Sequence, residues 1–418
     1  MKEDIEITIT TREGTIVARN SRYLSYDFST SYGTLTGSFN ITYSNEDTKR
    51  IEPGQYIILR INGVLEFRGI IQRLERNITK GGITVSLSGK DRSSILVESF
   101  ANKYPDYSGK TPKYIIDELI KQTNFYATGT TFYEALADTL GTELAVDLTD
   151  RNNVVQFGFA KSRFDLVSFD KEITEYDQDF EALNAIKEFK ISPGDVIYDK
   201  ISELVISAGF EVLYEQNGKL YIGDLAKKRK ADKVTYQTTL RSDHAAERNN
   251  VIESSLADDI SGRYYAVEVS CQSEGENSSG FIFKRKIATD TSVNVRKHFS
   301  QTVDINDDTN NVINIEKLAI QIREDQRIDG FNLTHKVAGH VADNGHAWRI
   351  NRYCKTVDQP NNIDTTLIVN AVTFSFSEND GATTTLGLAK ERSNKLIYHE
   401  SYVWKTKLGK ELQKRLQE

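Results

Sequence analysis

The chain is predicted to fold as a mainly β protein interrupted by an α/β insertion. Three observations predict it. The 20 Tyr and 19 Phe accompany abundant Thr, Ile and Val against five Pro and one Met, a composition that suits pleated, half-buried surfaces. Short apolar–polar alternations recur between turn dipeptides in the first hundred residues and again after about residue 236. Helix openings followed by stripes of period 3.6 concentrate between them. The 418 residues correspond to two to four domains, at about 100–200 residues each. Hydrophobic residues make up 38%, and 26 glycines bring the apolar share near the level of ordinary globular chains, about 45–50%. Disordered and fibrous classes are thereby excluded.

In residues 1–100, Ile5–Ile9 alternates like a strand, and Asn62-Gly63 joins Tyr56–Ile61 to Val64–Phe67 as a tight hairpin. Lys80-Gly81-Gly82 joins Ile70–Arg76 to Ile83–Leu87. Thr111-Pro112 then reads as an N-cap with proline at the first helical position, opening a helix to Gln122 with Ile115, Ile116, Leu119 and Ile120 on its apolar face. Ser192-Pro193 repeats that signature and predicts a second helix to Ala208, closed by Gly209. Phe210–Tyr214, Asn217-Gly218 and Lys219–Ile222 predict a hairpin, whereas residues 126–189 resemble an insertion with no legible period. Lys227–Lys230 reads as a solvated basic linker. Further on, Tyr264–Ser270 and Phe281–Lys286 read as paired strands, Ile313–Asp325 as a helix, and Phe331–Val337, Leu367–Phe376 and Thr383–Leu388 as strands. Val403–Glu418 carries Trp404, Leu408, Leu412 and Leu416 four residues apart and reads as an amphipathic helix, a candidate contact element. The expected division is 1–100, 101–235, 236–392 and a basic helical tail at 393–418.

The chain holds 53 Lys+Arg against 60 Asp+Glu, a net charge of −7, and a pI near 5.6. Wrapping nucleic acid requires basic stripes, so no specific nucleic-acid binding is expected. Cys271 and Cys354 are too few for a disulfide scaffold or a zinc knuckle, which points to a reducing compartment. The alternating start lacks the apolar core of a signal peptide, and Thr365–Ser377, the least charged long run, is too short to span a bilayer. The expectation is a soluble protein without membrane insertion, made inside a cell.

The sequence shows no nucleophile elbow, phosphate-binding loop, zinc-protease helix or dinucleotide fingerprint. His335, His340 and His346 fall within twelve residues and invite a metal reading. A spacing of five puts His335 and His340 on opposite faces of a strand, and His346 follows the turn Asn344-Gly345, so all three read as surface histidines. Asp258-Asp259 and Asp307-Asp308 read as solvated turns rather than an acid/base pair, since adjacent carboxylates diverge. Asn40 and Asn332 match the glycosylation sequon, which carries no weight without a secretion signal. No catalytic, cofactor-binding or metal residue is assigned, no cofactor is expected, and the residues read as a structural or binding protein rather than an enzyme.

Several colinear segments resemble one family, the baseplate hub proteins of contractile-tailed bacteriophages of the Mu-like and T4-like kind. They are Glu52–Leu59, Phe67–Ile71 and Ser88–Val97, the last with a Gly89-Lys90-Asp91 signature, followed by Thr111-Pro112 with Ile115-Ile116. Val196–Ile201, Gly218–Ile222, Asn249–Ile252, Ser261–Tyr265, Gly345–Trp348, Leu367–Val369 and Val372–Phe374 continue the series. The resemblance implies two tail-tube-like antiparallel β-barrel domains with small helix-containing modules between them. It implies a homotrimer whose ring joins a threefold central spike protein to a sixfold tail tube protein around the DNA channel of the virion. Baseplate wedge and tape-measure proteins are further partners it suggests, after synthesis in the bacterial host cytoplasm. The same residues also fit the hub of a phage-tail-like bacteriocin or another injection machine, or a tail-associated cell-wall hydrolase.

Overall fold

The computed structural model describes residues 3–11, 15–19, 23–32, 34–44, 51–80, 82–123, 174–186, 189–242, 249–274, 281–304 and 315–391. The first β-region contains β1 (Ile5–Thr10), β2 (Ile16–Arg19), β3 (Tyr23–Ser31), β4 (Ser38–Ser44), β5 (Tyr56–Ile61), β6 (Val64–Thr79) and β7 (Gly82–Asp91). The insertion follows with α1 (Ser94–Glu98), α2 (Pro112–Gln122), β8 (Thr174–Tyr176), α3 (Gln178–Glu181), α4 (Ile197–Ser207), β9 (Glu211–Tyr214), β10 (Leu220–Gly223) and α5 (Leu225–Asp232). The second β-region has β11 (Thr235–Leu240), β12 (Val251–Asp258), β13 (Ala266–Glu274), β14 (Phe281–Thr289), β15 (His298–Asp304), α6 (Ile315–Asp329), β16 (Phe331–Ala338), β17 (Tyr353–Asp358), β18 (Ile363–Ser377) and β19 (Gly381–Ala389). The mainly antiparallel β class read from the sequence is what the fold shows.

Local chemistry sets the predicted elements. Asn62 and Gly63 take φ of 50° and 78° at the β5–β6 turn, the left-handed pair that matches strand twist in a two-residue hairpin. Thr111 accepts a hydrogen bond from the Tyr114 amide at 3.4 Å and caps α2, with Pro112 at its first position.

Two expectations are corrected. Ser192-Pro193 does not open a helix. Gly194 sits at φ 95° and the Asp195 amide bonds back to the Ser192 carbonyl, making a turn, and α4 begins only at Ile197. Lys227–Lys230 is not a solvated linker but part of α5, whose first amides at Ala226 and Lys227 bond to Asp224. Arg229 is buried there because Asn351 (3.0 Å) and Glu391 (3.0 Å) receive its guanidinium. The predicted helix 313–325 lies at 315–329. The predicted tail helix and Asp307-Asp308 fall outside the described residues.

Strands of both β-regions share one hydrogen-bonded network, in the order β12-β16-β19-β18-β3-β4-β7-β6-β5-β1-β2, with β17 on β18 and β11 on β17. One hydrophobic core runs through it, from Ile41, Leu59 and Phe67 to Leu333, Trp348, Phe374 and Leu388. The insertion has its own core around Ile116, Phe180, Ile201 and Leu220. A smaller one lies where α6 covers β13 and β14.

The order contains a repeat. The run β3-β4-β7-β6-β5-β1 in the first region is matched by β12-β16-β19-β18-β17-β11 in the second. Two of their irregularities match as well, whereas the shift at Leu59/Arg60 between β5 and β6 has no counterpart between β17 and β18. The register shift at Tyr23/Ser25 between β3 and β4 recurs at Val251/Glu253 between β12 and β16. The shift at Ile71/Arg73 between β6 and β7 recurs at Val369/Ala371 between β18 and β19. Aligned on those bulges, the pair Tyr56–Ile70 falls on the pair Tyr353–Ile368. Bulges fix register and strand bend, so their coincidence marks two copies of one design. The match ends at the last strand, since β1 is antiparallel to β5 whereas β11 is parallel to β17.

Candidate functional site, a hydroxyl-lined sheet and its seam

β18 joins the two regions. Ahead of its bulge, Ile363–Ile368 pairs with β17. Beyond it, Ala371–Ser377 pairs antiparallel with Ser25–Ser31 of β3. Inward-facing Phe28 lies opposite Phe374, and Tyr26 lies opposite Phe376 with the rings stacked at 5.6 Å. Such aromatic cross-strand pairs each contribute roughly 0.2–1 kcal/mol relative to a pair of alanines.

A buried polar chain crosses the same seam. Tyr26 Oη and His340 Nε2 are 2.7 Å apart, His340 Nδ1 and Thr384 Oγ1 are 3.0 Å apart, and Thr384 donates to the Gly339 carbonyl at 2.6 Å. Because the Thr384 proton is committed to Gly339, its oxygen accepts from Nδ1–H, leaving Nε2 to accept from the Tyr26 hydroxyl. Burial pushes the His340 pKa down to about 4, against a smaller opposing pull from its hydrogen bond with Gly339. The imidazole is therefore neutral at physiological pH. Glu3 adds a second tie, its carboxylate accepting from the amides of His340 and Val341 at 2.9 and 3.0 Å.

His335 and His340 are thus fully buried, not the surface histidines their polar setting suggested; His346 is exposed as expected. His335 occupies a separate network, its Nε2 3.1 Å from Asp358 Oδ2, which also accepts from Ser254 (2.5 Å) and Asn361 (2.8 Å). Burial pulls the Asp358 carboxyl up, but the hydrogen bonds from Asn361, Ser254 and His335 outweigh it and hold the group below its usual range. Ser254 donates to the carboxylate rather than to the imidazole, so the trio lacks the Ser–His contact of a nucleophile relay. Asp258 and Asp259 are exposed, and Asp259 accepts from the Ser261 amide and hydroxyl in a turn. Among the described residues no three His, Cys, Asp or Glu side chains converge on a metal-sized site. No described helix is long and apolar enough to cross a membrane. Cys354 is a buried thiol, and burial raises its pKa.

Alternation divides the strands around the seam into two chemically distinct faces. Tyr26, Phe28, Phe39, Ile41, Leu87, Phe374 and Leu386 point into the core. The opposite face carries Ser25, Ser29, Ser38, Asn40, Thr42, Ser86, Ser88, Thr373 and Ser375, with contacts such as Thr373 Oγ1 to Ser29 Oγ at 3.1 Å. From β16 through β7, the charged residues at outward positions are Asp27, Lys336, Asp364 and Lys90, the last paired with Glu98 at 2.6 Å. The sequon residues Asn40 and Asn332 lie on this face and are exposed. Its signal was present in the sequence, as Ser and Thr alternating with aromatics over 25–31, 38–44 and 373–377, but composition alone does not show that these strands are neighbours. A broad hydroxyl surface with so few charges holds water and offers phosphate groups few cations to displace their counterions.

The motifs behind the resemblance also acquire physical roles. A Cβ on Gly89 would stand 1.9 Å from the Ile70 carbonyl oxygen, so glycine is required where β7 meets the β6 bulge. Asp91 accepts from the amides of Gly37 (2.6 Å) and Ser93 (3.0 Å) and fixes the turn into α1, while burial pushes its pKa up to about 7. Asn249 and Asn250 clip the outer edge of β11. Their side-chain oxygens accept from the Arg241 and Thr239 amides, and their side-chain nitrogens donate to the Arg241 and Gln237 carbonyls, all at 2.8–3.1 Å. The segment around buried Trp348 is bound to the first region through Arg349, which holds Glu66 in a bidentate pair at 2.8 and 2.6 Å.

Residues 325–392 match the family model described as the tail protein C-terminal domain. The tail protein of Neisseria meningitidis MC58 superposes with a TM-score of 0.63 at 19% identity, covering 93% of this chain and 97% of that one. The 43 kDa tail protein of prophage MuSo2 from Shewanella oneidensis gives 0.64 at 14% identity, covering 93% and 98%. The prophage tail protein gp18 of Listeria monocytogenes gives 0.51 at 11%, covering 99% and 100%. The chain has the fold of phage tail proteins. No curated protein matches it in sequence. The resemblance read from the sequence motifs thus agrees with both the matched C-terminal segment and the fold of the whole chain.

Proposed function

We propose that this chain is the structural baseplate hub of a contractile phage tail. Three copies close a ring that joins a threefold central spike to a sixfold tail tube and surrounds the DNA channel. The observation that carries the reading is the repeat within one chain, because two like β-regions per chain let three chains present six like units. The contacts between successive units are head-to-tail, the kind that closes into a ring when the rotation divides a full turn. On this reading, 1–100 and 236–392 are the two tube-like domains, 101–235 the modules between them, and 393–418 a tail available to neighbouring baseplate proteins. The hydroxyl face lines the channel, where a nearly neutral wet surface lets DNA slide without being held. The role is mechanical, without a cofactor or catalytic step, and the protein resides in the virion baseplate after synthesis in the host.

Native mass spectrometry at micromolar protein, alone and with the co-expressed spike, tests this. The expected species is three times 47.3 kDa, with a central hole in negative stain and no salt-sensitive retention of DNA. A monomer in both preparations, or tight DNA binding that falls steeply with salt, contradicts it.

A further inference from the structure

We propose that β12 of one copy adds to β6 of the next, antiparallel and in the register with which β3 adds to β18 inside the chain. The inference rests on the ring reading above and specifies its contact. Aligned on their bulges, β12 stands in the second region where β3 stands in the first, and β6 stands in the first where β18 stands in the second. The stretch of β18 past its bulge receives β3. The corresponding stretch of β6, Arg73–Thr79, is joined among the described strands to β7 alone, and β12 is joined to β16 alone. The described strands thus contain one assembled seam and, separately, the two halves of a second.

Two further observations fit the pair. Ile78 occupies the place of Phe376, whose ring packs on Tyr26 and Tyr23 of β3 at 5.6 and 5.2 Å. Ile78 is 76% exposed, the most exposed large apolar side chain among the described residues, as expected of a seam residue whose neighbour lies in another copy. The charges are also complementary. The β12 segment carries Glu253, Asp258 and Asp259, whereas the β6 stretch and its turn carry Arg73, Arg76 and Lys80 against Glu75. Transferring the register of Asp27 opposite Ser375 places Asn77 opposite Ser255 of the partner subunit.

Paired cysteines test the register. In the double variant Asn77→Cys/Ser255→Cys, mild oxidation should link copies into a covalent trimer on non-reducing gels. The displaced pair Asn77→Cys/Asp258→Cys should yield less than a tenth as much, because three residues of displacement put the thiols on opposite faces. Asp27→Cys/Ser375→Cys, the equivalent pair within the chain, should close intramolecularly and shows that the geometry permits the bond. Native mass is measured on each variant before oxidation. A trimer that does not cross-link at 77/255 while 27/375 closes, or that cross-links equally at 77/258, overturns the register and leaves the ring reading standing. A monomer throughout, in the unsubstituted protein and with the spike co-expressed as well, overturns the ring reading itself.

Discussion

The two β-regions are built alike but finished differently. Both run through the same order of strands with two bulges at corresponding pairs, yet β3 is covered by β18 while β12 has a single partner among the described strands. The difference lies in the side chains rather than the backbone. β3 presents Tyr26 and Phe28 toward the core side of its seam, whereas the matching positions of β12 hold Ser254 and Leu256. A seam inside one chain forms without loss of translational freedom. One between copies must overcome an association cost of about 4–15 kcal/mol, which a few cross-strand pairs at roughly 0.2–1 kcal/mol each barely offset. On the proposed reading, a weaker, more polar edge would assemble only with its neighbours in place, as suits a part added to a growing baseplate.

The largest expected effect comes from the assembled seam. Phe374→Ala removes a buried ring opposite Phe28 and should cost about 3–5 kcal/mol of stability in urea unfolding, whereas truncating the matching Arg76 should cost the monomer far less. Equal losses would mean that the seam is not what holds the two regions together.

The next test concerns the polar chain across that seam. His340 stays neutral in the fold down to about pH 4, while in the unfolded chain it takes up a proton below its ordinary value near 6.5. The unfolded state then binds more protons, so the contribution is complete above that pH and is withdrawn as pH falls toward 4. The shift corresponds to about 3 kcal/mol. Asp91, with its pKa raised to about 7, runs in the opposite direction, so the readout is the difference between wild type and His340→Gln across that range. A constant difference from pH 7 to 4 would refute the burial account of His340.

A smaller effect is expected at β11. Asn250→Ala removes two side-chain hydrogen bonds to its edge, costing about 1–2 kcal/mol. Faster amide exchange should be confined to Gln237–Arg241; exchange spreading into β17 would show that the clip stabilises more than an edge.

Much of this was legible from residue order. Asn62-Gly63, Asn217-Gly218 and Thr111-Pro112 predicted their turns and helix because each acts within a few residues. What stayed hidden depends on distant partners. His340 reads as polar surface until Tyr26, 314 positions away, supplies its hydrogen bond. Arg229 reads as solvent-facing until Asn351 and Glu391 meet it. Ser192-Pro193 misled because Gly194 takes a left-handed turn immediately after it. The repeat entered only through the family resemblance, which implied two like β-domains, and not through any pattern of residues. Its two copies share strand order and bulges but few side chains, with Ile41 standing where His335 stands, so no residue period announces it.

The most direct measurement is hydrogen–deuterium exchange across the concentration range of assembly. If copies are joined by the seam already present within each chain, alternate amides of β12 and of β6 past its bulge become protected as the ring forms, while those of β3 are protected at every concentration. Rapid exchange at β12 and β6 in the assembled state would contradict the account.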